Sequence, residues 1–383
     1  MTNTGHIVVA GHICLDLIPT FPPGKVGNLL KPGGMIGMEP MALSTGGVVS
    51  NTGIALHRLG EPVKLLGKVG DDRFGPLILD LLRAQGEHLA DGMIVSPGAV
   101  TSYSVILSPP GVDRTFLHCP GANDTYRASD IPADSLAGAA MFHFGYPPVM
   151  EAIYSNGGAE LERIFRLAKS AGLTTSLDLC HPNAGGLAAD WRAIFARVLP
   201  HVDLFLPSIE EILLLIAPDR YQALASGHGE LLSRVDSTLL HDLSSQLLDW
   251  GSKIVVLKLG EHGLYLRTGA DGAQIPGLGA DWSRRELIAP CFSVNVVGTT
   301  GSGDCTIAGF LAGVHRGLSP EKTMTAAVGV GAHNVEVPDA VSGVPTWENL
   351  QQRIAGGWKR LDVGLNLPGF TFDASRQLWE KKN

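Results

Sequence analysis

A chain of 383 residues with 37 acidic and 29 basic side chains carries a formal net charge of −8. It can bury a large core, as one big α/β domain with an appendage or as two modest ones. Its 48 glycines fall in short clusters between apolar runs, which excludes collagen-like and disordered chains. With no long basic tract, neither nucleic acid nor an anionic membrane is an expected partner.

Five cysteines, an odd number with no CxxC pattern, favour neither a disulfide framework nor a zinc site, and a reduced cytoplasmic setting is expected. The first residues lack a basic n-region, and no uninterrupted apolar run approaches ~18 residues, so neither a signal peptide nor a spanning helix is expected.

Residues 7–10 are a short β-branched run ending at Gly11, and Asp16 follows in GHICLDLIP. In a parallel α/β sheet, ligands gather at the carboxyl ends of strands, and a carboxylate there can accept hydrogen bonds from two adjacent hydroxyls. An ordinary solvated loop would equally account for Asp16. Residues 21–45 read as loop and edge strand. STGGVVSNTGIALHRLG then opens a helix, with Gly46 and Gly47 leaving room for a ligand at the backbone and Asn51 one turn further in. A GG pair is also a common structural turn.

Residues 62–69 read as one strand and 75–85 as an amphipathic helix. Residues 101–107 and 114–119 alternate around SPPGVD, a hairpin signature. Inside an α/β pattern this predicts a small separate sheet, able to close as a flap over a ligand and exclude water.

From residue 139 strands and helices alternate: AMFHFGYPP, a helix over 159–171, TTSLDLC, a helix over 191–199, DLFLPS, and a helix from Ile209. Such a series argues a parallel sheet. His143 and Tyr146 stand near a strand end, where they suit either recognition or core packing. SIEEILLLI predicts a capping box, Ser208 as N-cap with Glu211 at the third helical position, which accounts for both residues without any function. Residues 219–238 are polar and irregular, an expected insertion. Residues 253–257 form a strand that runs into KLGEHGLYL, where Lys258 leads and Gly260 and Gly263 bracket a turn suited to a nucleotide or to a plain hairpin. Neither GxxxxGK[ST] nor GxGxxG after the first strand is present, so a nucleotide would use other loops. Residues 319–334 predict a helix of small residues, able to floor a flat base, and the final segment with Trp347, Trp358 and Trp379 reads as peripheral.

The most chemistry lies in VVGTTGSGDCTIAGFLAG, residues 296–313, read as the end of a strand, a glycine loop and a buried helix. The N–H groups of Gly301, Ser302, Gly303 and the first helical turn lack intrahelical partners, and the helix dipole adds positive charge. That combination suits a phosphate. Asp304 sets a carboxylate beside it, where a base could take a proton from a hydroxyl while amides stabilise a phosphoryl group in transfer. An Asp here also suits a helix N-cap.

In this order, GHICLDLIP, STGGVVSNTGIALHRLG with GKVGDDRFG, the hairpin ending in PGAN, LPSIEE, VVLKLGEHG and VVGTTGSGD resemble the ribokinase-like (PfkB) carbohydrate kinases over about residues 7–347. The resemblance implies an α/β fold, a ribokinase-like three-layer α/β/α sandwich, as one domain over residues 1–383 with a β lid from about 17–45 and 98–122. It further implies transfer of the γ-phosphoryl group of ATP, with Mg²⁺, to a hydroxyl of a sugar or polyol. Asp304 falls on the family's catalytic base and the amides of Gly301, Ser302 and Gly303 on its anion hole. Asp16, Gly46, Gly47 and Asn51 fall on acceptor-binding positions, with Tyr146 near them. Lys258, Gly260 and Gly263, with Gly301 and Gly303, fall on the nucleotide side, and Glu211 on the acidic residue linked to magnesium. A homodimer through the lid is implied as well. Gly298 stands where potassium-activated members have an Asp, so the resemblance does not carry activation by a monovalent cation onto this chain. Ser208 replaces the Asn of NxxE, and Cys14 replaces a sugar-binding Asn of ribokinase, which points away from ribose. A nucleoside or vitamin-like alcohol as acceptor, and a non-catalytic sugar-binding protein on the same scaffold, are the competing readings.

Overall fold

The first strand sets the layers. In His6–Gly11, Ile7 and Val9 face one hydrophobic core while Val8 and Ala10 face another, and all four are fully buried. A strand buried on both faces belongs inside a sheet covered by helices on each side. The computed structural model, which describes residues 4–24, 32–110, 114–226 and 230–381, has this arrangement.

The large sheet has ten strands. From one edge, Val63–Leu66, His6–Gly11, Ala139–Gly145, Thr174–Leu177, Leu204–Phe205 and Ile254–Lys258 run parallel. Leu264–Thr268, Glu286–Ala289, Leu378–Lys381 and Phe370–Asp373 complete it in antiparallel fashion. Helices Val48–Arg58, Phe74–Gln85, Ser302–His315, Pro320–Asn334 and Trp347–Ala355 contribute to the first core. Helices Glu151–Ser170, Trp191–Val198, Ile209–Ile216 and Ser237–Asp249 contribute to the second. The fold is thus the expected ribokinase-like α/β sandwich.

A separate four-stranded sheet has the order Glu39–Gly46, Cys14–Thr20, Tyr103–Leu107, Thr115–Cys119. The expected hairpin is present, with Tyr103 opposite Cys119 and Leu107 opposite Thr115. Parts of the proposed lid and turn, residues 25–31 and 111–113, lie outside the described residues.

Four expectations are corrected. The single strand over 62–69 divides at Gly67, where the chain packs against Met93 and Ile13, and Lys68–Gly70 pairs instead with Ile94–Ser96. The stretch 219–238 contains helix Pro218–Ala225, which has a proline in its first turn and no buried residue, so its polar sequence hid a solvated helix; residues 227–229 lie outside the described residues. The C-terminal segment is not peripheral, because two of its strands extend the main sheet. Finally, no strand precedes the glycine loop. Val297 and Gly298 instead donate to the Val335 carbonyl, at 2.7 and 3.3 Å, beyond the end of helix Pro320–Asn334. Val296 and Val297 are consequently more than half exposed, so their β-branched pattern reports a loop wall and not a buried strand.

Candidate active site

Helix Ser302–His315 starts on Gly301, whose φ of 70° lies in the left-handed region and where a Cβ would meet the Ala340 carbonyl at 2.4 Å. Only glycine fits there. Asp304 is therefore the third helical residue and not the N-cap, and its carboxylate faces other elements. Oδ2 accepts from Asn51 Nδ2 at 2.9 Å and from the Tyr146 hydroxyl at 2.8 Å, while Oδ1 takes Tyr146 at 3.0 Å and Thr52 Oγ1 at 3.5 Å. Burial raises the Asp304 proton affinity, only partly offset by the Asn51 and Tyr146 hydrogen bonds and the Lys258 charge. A carboxylate raised in this way is a better base than one in water.

Tyr146 follows strand Ala139–Gly145 with φ 67°. A non-glycine residue in that region costs ~1–3 kcal/mol, a strain that gathers at functional sites. His143, its neighbour in sequence, is fully buried against Ser176 Oγ at 3.0 Å and belongs to the core.

Two cavities border the glycine loop, and Thr299 lines both. The first, of about 330 Å³, is lined by Asp16, Ser44, Arg114, Gly298, Thr300 and Asp339 among others. Burial lifts the Asp16 carboxyl to about 6, with a small opposing pull from the Cys14 thiol 3.3 Å away. Gly46 is required beside it, since a Cβ would lie 2.3 Å from Asp16 Oδ2. Gly47, the N-cap of helix Val48–Arg58 with φ 86°, packs on His12. Arg114, from the hairpin, donates to Thr299 Oγ1 at 3.0 Å and to Thr300 Oγ1. His118, also from the hairpin, sets its Nε2 3.3 Å from Nε2 of His12, whose ring stacks on Tyr146. Burial holds both histidines below the usual range, which suits one neutral ring donating to the other.

The second cavity, of about 360 Å³, is lined by Lys258, Gly260, Gly263, Ser302 and Gly303 among others. The Lys258 ammonium donates to Asp178 Oδ1 at 2.8 Å. Burial raises Asp178 to about 8 against the opposing pull of Lys258, and its Oδ2 has no hydrogen-bond partner among the described residues. Although burial alone would lower it, Lys258 is held above the ordinary lysine range by Asp178 and Glu211. Glu211 forms the expected capping box: its Oε2 accepts from the Ser208 N–H at 2.7 Å, and its own N–H donates to Ser208 Oγ at 3.1 Å. Its charge nevertheless acts on Asp178, Lys258 and Asp304, so it faces the same centre.

The structure thus joins Asn51 and Tyr146 at Asp304, sets Asp16, Gly46 and Gly298 on one side, and sets Lys258, Gly260, Gly263 and Gly303 on the other. Sequence reasoning missed Asp178, His12, His118 and Arg114. Asp178 follows strand Thr174–Leu177 at its carboxyl end, so the rule that pointed to Asp16 would have found it. The contacts of the other three cross over 100 positions of sequence, and no local pattern marks them.

Comparison with known proteins shows what the whole chain is similar to. The sequence model of the "pfkB family carbohydrate kinase" family matches residues 5–347. A 2-dehydro-3-deoxygluconokinase of Bacillus subtilis is 26% identical over 327 residues, covering 83% of this chain and 89% of the relative. Fructokinase-2 of Oryza sativa is 26% identical, covering 80% and 79%. Among solved structures, ribokinase from Giardia lamblia superposes with a TM-score of 0.69 at 20% identity, covering 92% of this chain and 99% of that one. A fructokinase with bound ATP from Xylella fastidiosa gives 0.68 at 18%, covering 91% and 98%. A family-model match spanning residues 5–347 places this protein in the pfkB family of carbohydrate kinases.

Proposed function

We propose that this kinase transfers the γ-phosphoryl group of ATP to a hydroxyl of a sugar or polyol, with Asp304 as general base. The observation that carries the reading is that one glycine loop borders two cavities and leads directly into a carboxylate held by Asn51 and Tyr146. The acceptor occupies the side of Asp16, Gly46, Gly47 and Asn51, and ATP the side of Lys258, Gly260 and Gly263. The entering hydroxyl replaces Tyr146 or Asn51 on Asp304. Its oxygen forms the new bond to phosphorus as the bond to ADP breaks, and its proton passes to Asp304.

The amides of Gly301, Ser302 and Gly303 receive the transferring group, Ser302 first releasing its 3.3 Å bond to the Thr299 carbonyl. Lys258 adds fixed positive charge beside Gly303, where a Cβ would lie 3.8 Å from its Nζ. Among the described residues no three metal-ligating side chains converge. That fits Mg²⁺, which binds mainly through phosphates, waters and one or two carboxylates, with Glu211 available here. When bound, it would neutralise phosphate charge. Gly298 offers no side chain to a monovalent cation, and the scheme includes none.

The small sheet serves as the lid, since Arg114 and His118 carry it onto the glycine loop and onto His12. Exposed Met41 and Leu43, two apart on one strand, with Phe116 on another, support a homodimer through that sheet. Five free cysteines suit a reducing cytoplasm. Among the described residues no helix is long and apolar enough to cross a membrane.

The test is ADP release over a panel of sugars, polyols and nucleosides that includes 2-dehydro-3-deoxygluconate and fructose. The reading expects turnover with a sugar or polyol; turnover with nucleosides alone, or tight sugar binding without ADP, goes against it.

A pH dependence follows from Asp16. As a carboxylate it accepts two hydroxyls, but protonated it accepts less and must donate. Its raised value of about 6 means that kcat/KM for the acceptor climbs as pH rises through 6 and falls away below it. A profile flat across the acidic range would remove Asp16 from acceptor binding.

A further inference from the structure

The family match ends at residue 347, yet the chain beyond it returns to the nucleotide side of the site. After helix Trp347–Ala355, residues 358–363 run along the segment that carries Phe292. Ser293 donates its N–H to the Lys359 carbonyl at 2.8 Å, Leu361 donates to the Cys291 carbonyl at 2.8 Å, and Phe292 and Arg360 form an antiparallel bridge. The Arg360 guanidinium donates to the Pro290 carbonyl at 2.7 Å and to Thr325 Oγ1 at 3.0 Å. His262 Nδ1 lies 2.6 Å from the Val363 carbonyl, which ties the same segment to the Gly260–His262 turn.

Side chains reinforce this lashing. Arg360 lies 3.9 Å from the Phe292 ring centroid, the Phe292 and Trp358 rings stack at 4.3 Å and 14°, and Arg353 lies 3.7 Å from the Trp358 ring. Cations are attracted to aromatic faces, so Arg360, Phe292, Trp358 and Arg353 hold one another in a continuous stack. Its product is a fixed wall. Phe292 and Leu361 line the 360 Å³ cavity together with Val294, Val328, Ala332 and Val335. An apolar slot between small residues of one helix and two held side chains fits a flat heterocycle better than a phosphate or a sugar.

We infer that residues 358–363 form one wall of the base pocket and that Leu361, held by the Arg360–Phe292–Trp358 stack, sets the affinity for the purine of ATP. This rests on the reading that ATP occupies the cavity beside Lys258 and Gly303. A wall already held in place by these contacts loses no entropy when the base enters.

The experiment is direct titration of the full chain with ATP, followed by tryptophan fluorescence and by calorimetry. Leu361 is 40% exposed, so Leu361→Asp is compatible with folding and brings a charge to the proposed base wall. Its Kd for ATP is expected to rise about tenfold, with the Kd of the acceptor within twofold of wild type and Leu361→Met close to wild type. Trp358→Phe preserves the stack but is expected to lose most of the ATP-induced fluorescence change. If wild type binds ATP while Leu361→Asp binds it equally well, or Trp358→Phe leaves the signal unaltered, this inference is overturned and the kinase reading stands. If wild type binds no ATP, the reading beneath it fails too.

Discussion

Asp304→Asn is expected to lower kcat by ~10²-fold or more, because the amide cannot accept the proton that the acceptor hydroxyl must lose. Ligand affinities should move far less. The new side chain has nearly the same shape, and its carbonyl oxygen can still accept from Tyr146 or Asn51, which hold the carboxylate at 2.8 and 2.9 Å. Steady-state ADP release with the acceptor saturating, alongside Kd values for ATP and acceptor, separates the two effects. A kcat within a few fold of wild type would show that Asp304 is merely a buried, hydrogen-bonded residue of the first helical turn.

Lys258→Met should have the second-largest effect, and through two routes. Removing the ammonium strands Asp178, which is 1% exposed and whose Oδ2 already lacks a partner among the described residues. Breaking a buried pair by deleting one partner costs ~3–5 kcal/mol, and Asp178 should fall near the lower end because, at about 8, it protonates readily. Loss of a fixed cation beside the transferring phosphoryl group should also cost ~10²-fold in kcat. The double variant Lys258→Met, Asp178→Asn distinguishes the routes. Thermal stability is expected to recover in it, since no uncompensated charge remains buried, whereas kcat is expected to stay low. Recovery of both would make Lys258 a structural residue only.

How much of this was legible in the sequence follows from how local each signal is. Gly301 to Asp304 form one turn at a helix start, so residue types alone expose the amides, the positive φ and the carboxylate. Gly46, Gly47 and Asn51 are equally compact. Asp178 stands at a strand end, where the rule for Asp16 applies, but nothing within TTSLDLC announces that Lys258, 80 residues away, will pair with the carboxylate. His12 and His118 meet only because the hairpin pairs with Cys14–Thr20, the strand that follows His12, a tertiary fact with no periodicity behind it. Val296 and Val297 misled in the opposite sense, as β-branched residues with exposed side chains on a loop that Val297 and Gly298 tie to a helix end. The last two strands, FTFD at the sheet edge and LWEK beside it, are four residues each and half polar, too short for a clear alternation.

The Ser208 and Glu211 pair combines a local capping contact with a longer-range electrostatic one. The capping box is formed, yet the same carboxylate acts electrostatically on Lys258 and Asp304. Tyr146 behaves likewise. Its strained backbone places a hydroxyl on both oxygens of Asp304, in the position that the proposed reaction gives to the acceptor hydroxyl.

The central claim, that one glycine loop presents an alcohol and a triphosphate to a single carboxylate, is tested most directly by a crystal structure with a non-hydrolysable ATP analogue and an accepted sugar. One sugar hydroxyl should lie ~2.6–3.2 Å from an Asp304 oxygen and in line with the terminal phosphorus, with the Tyr146 hydroxyl displaced. A complex in which both ligands are bound while Asp304 still holds Tyr146 and Asn51 and contacts neither ligand would contradict it.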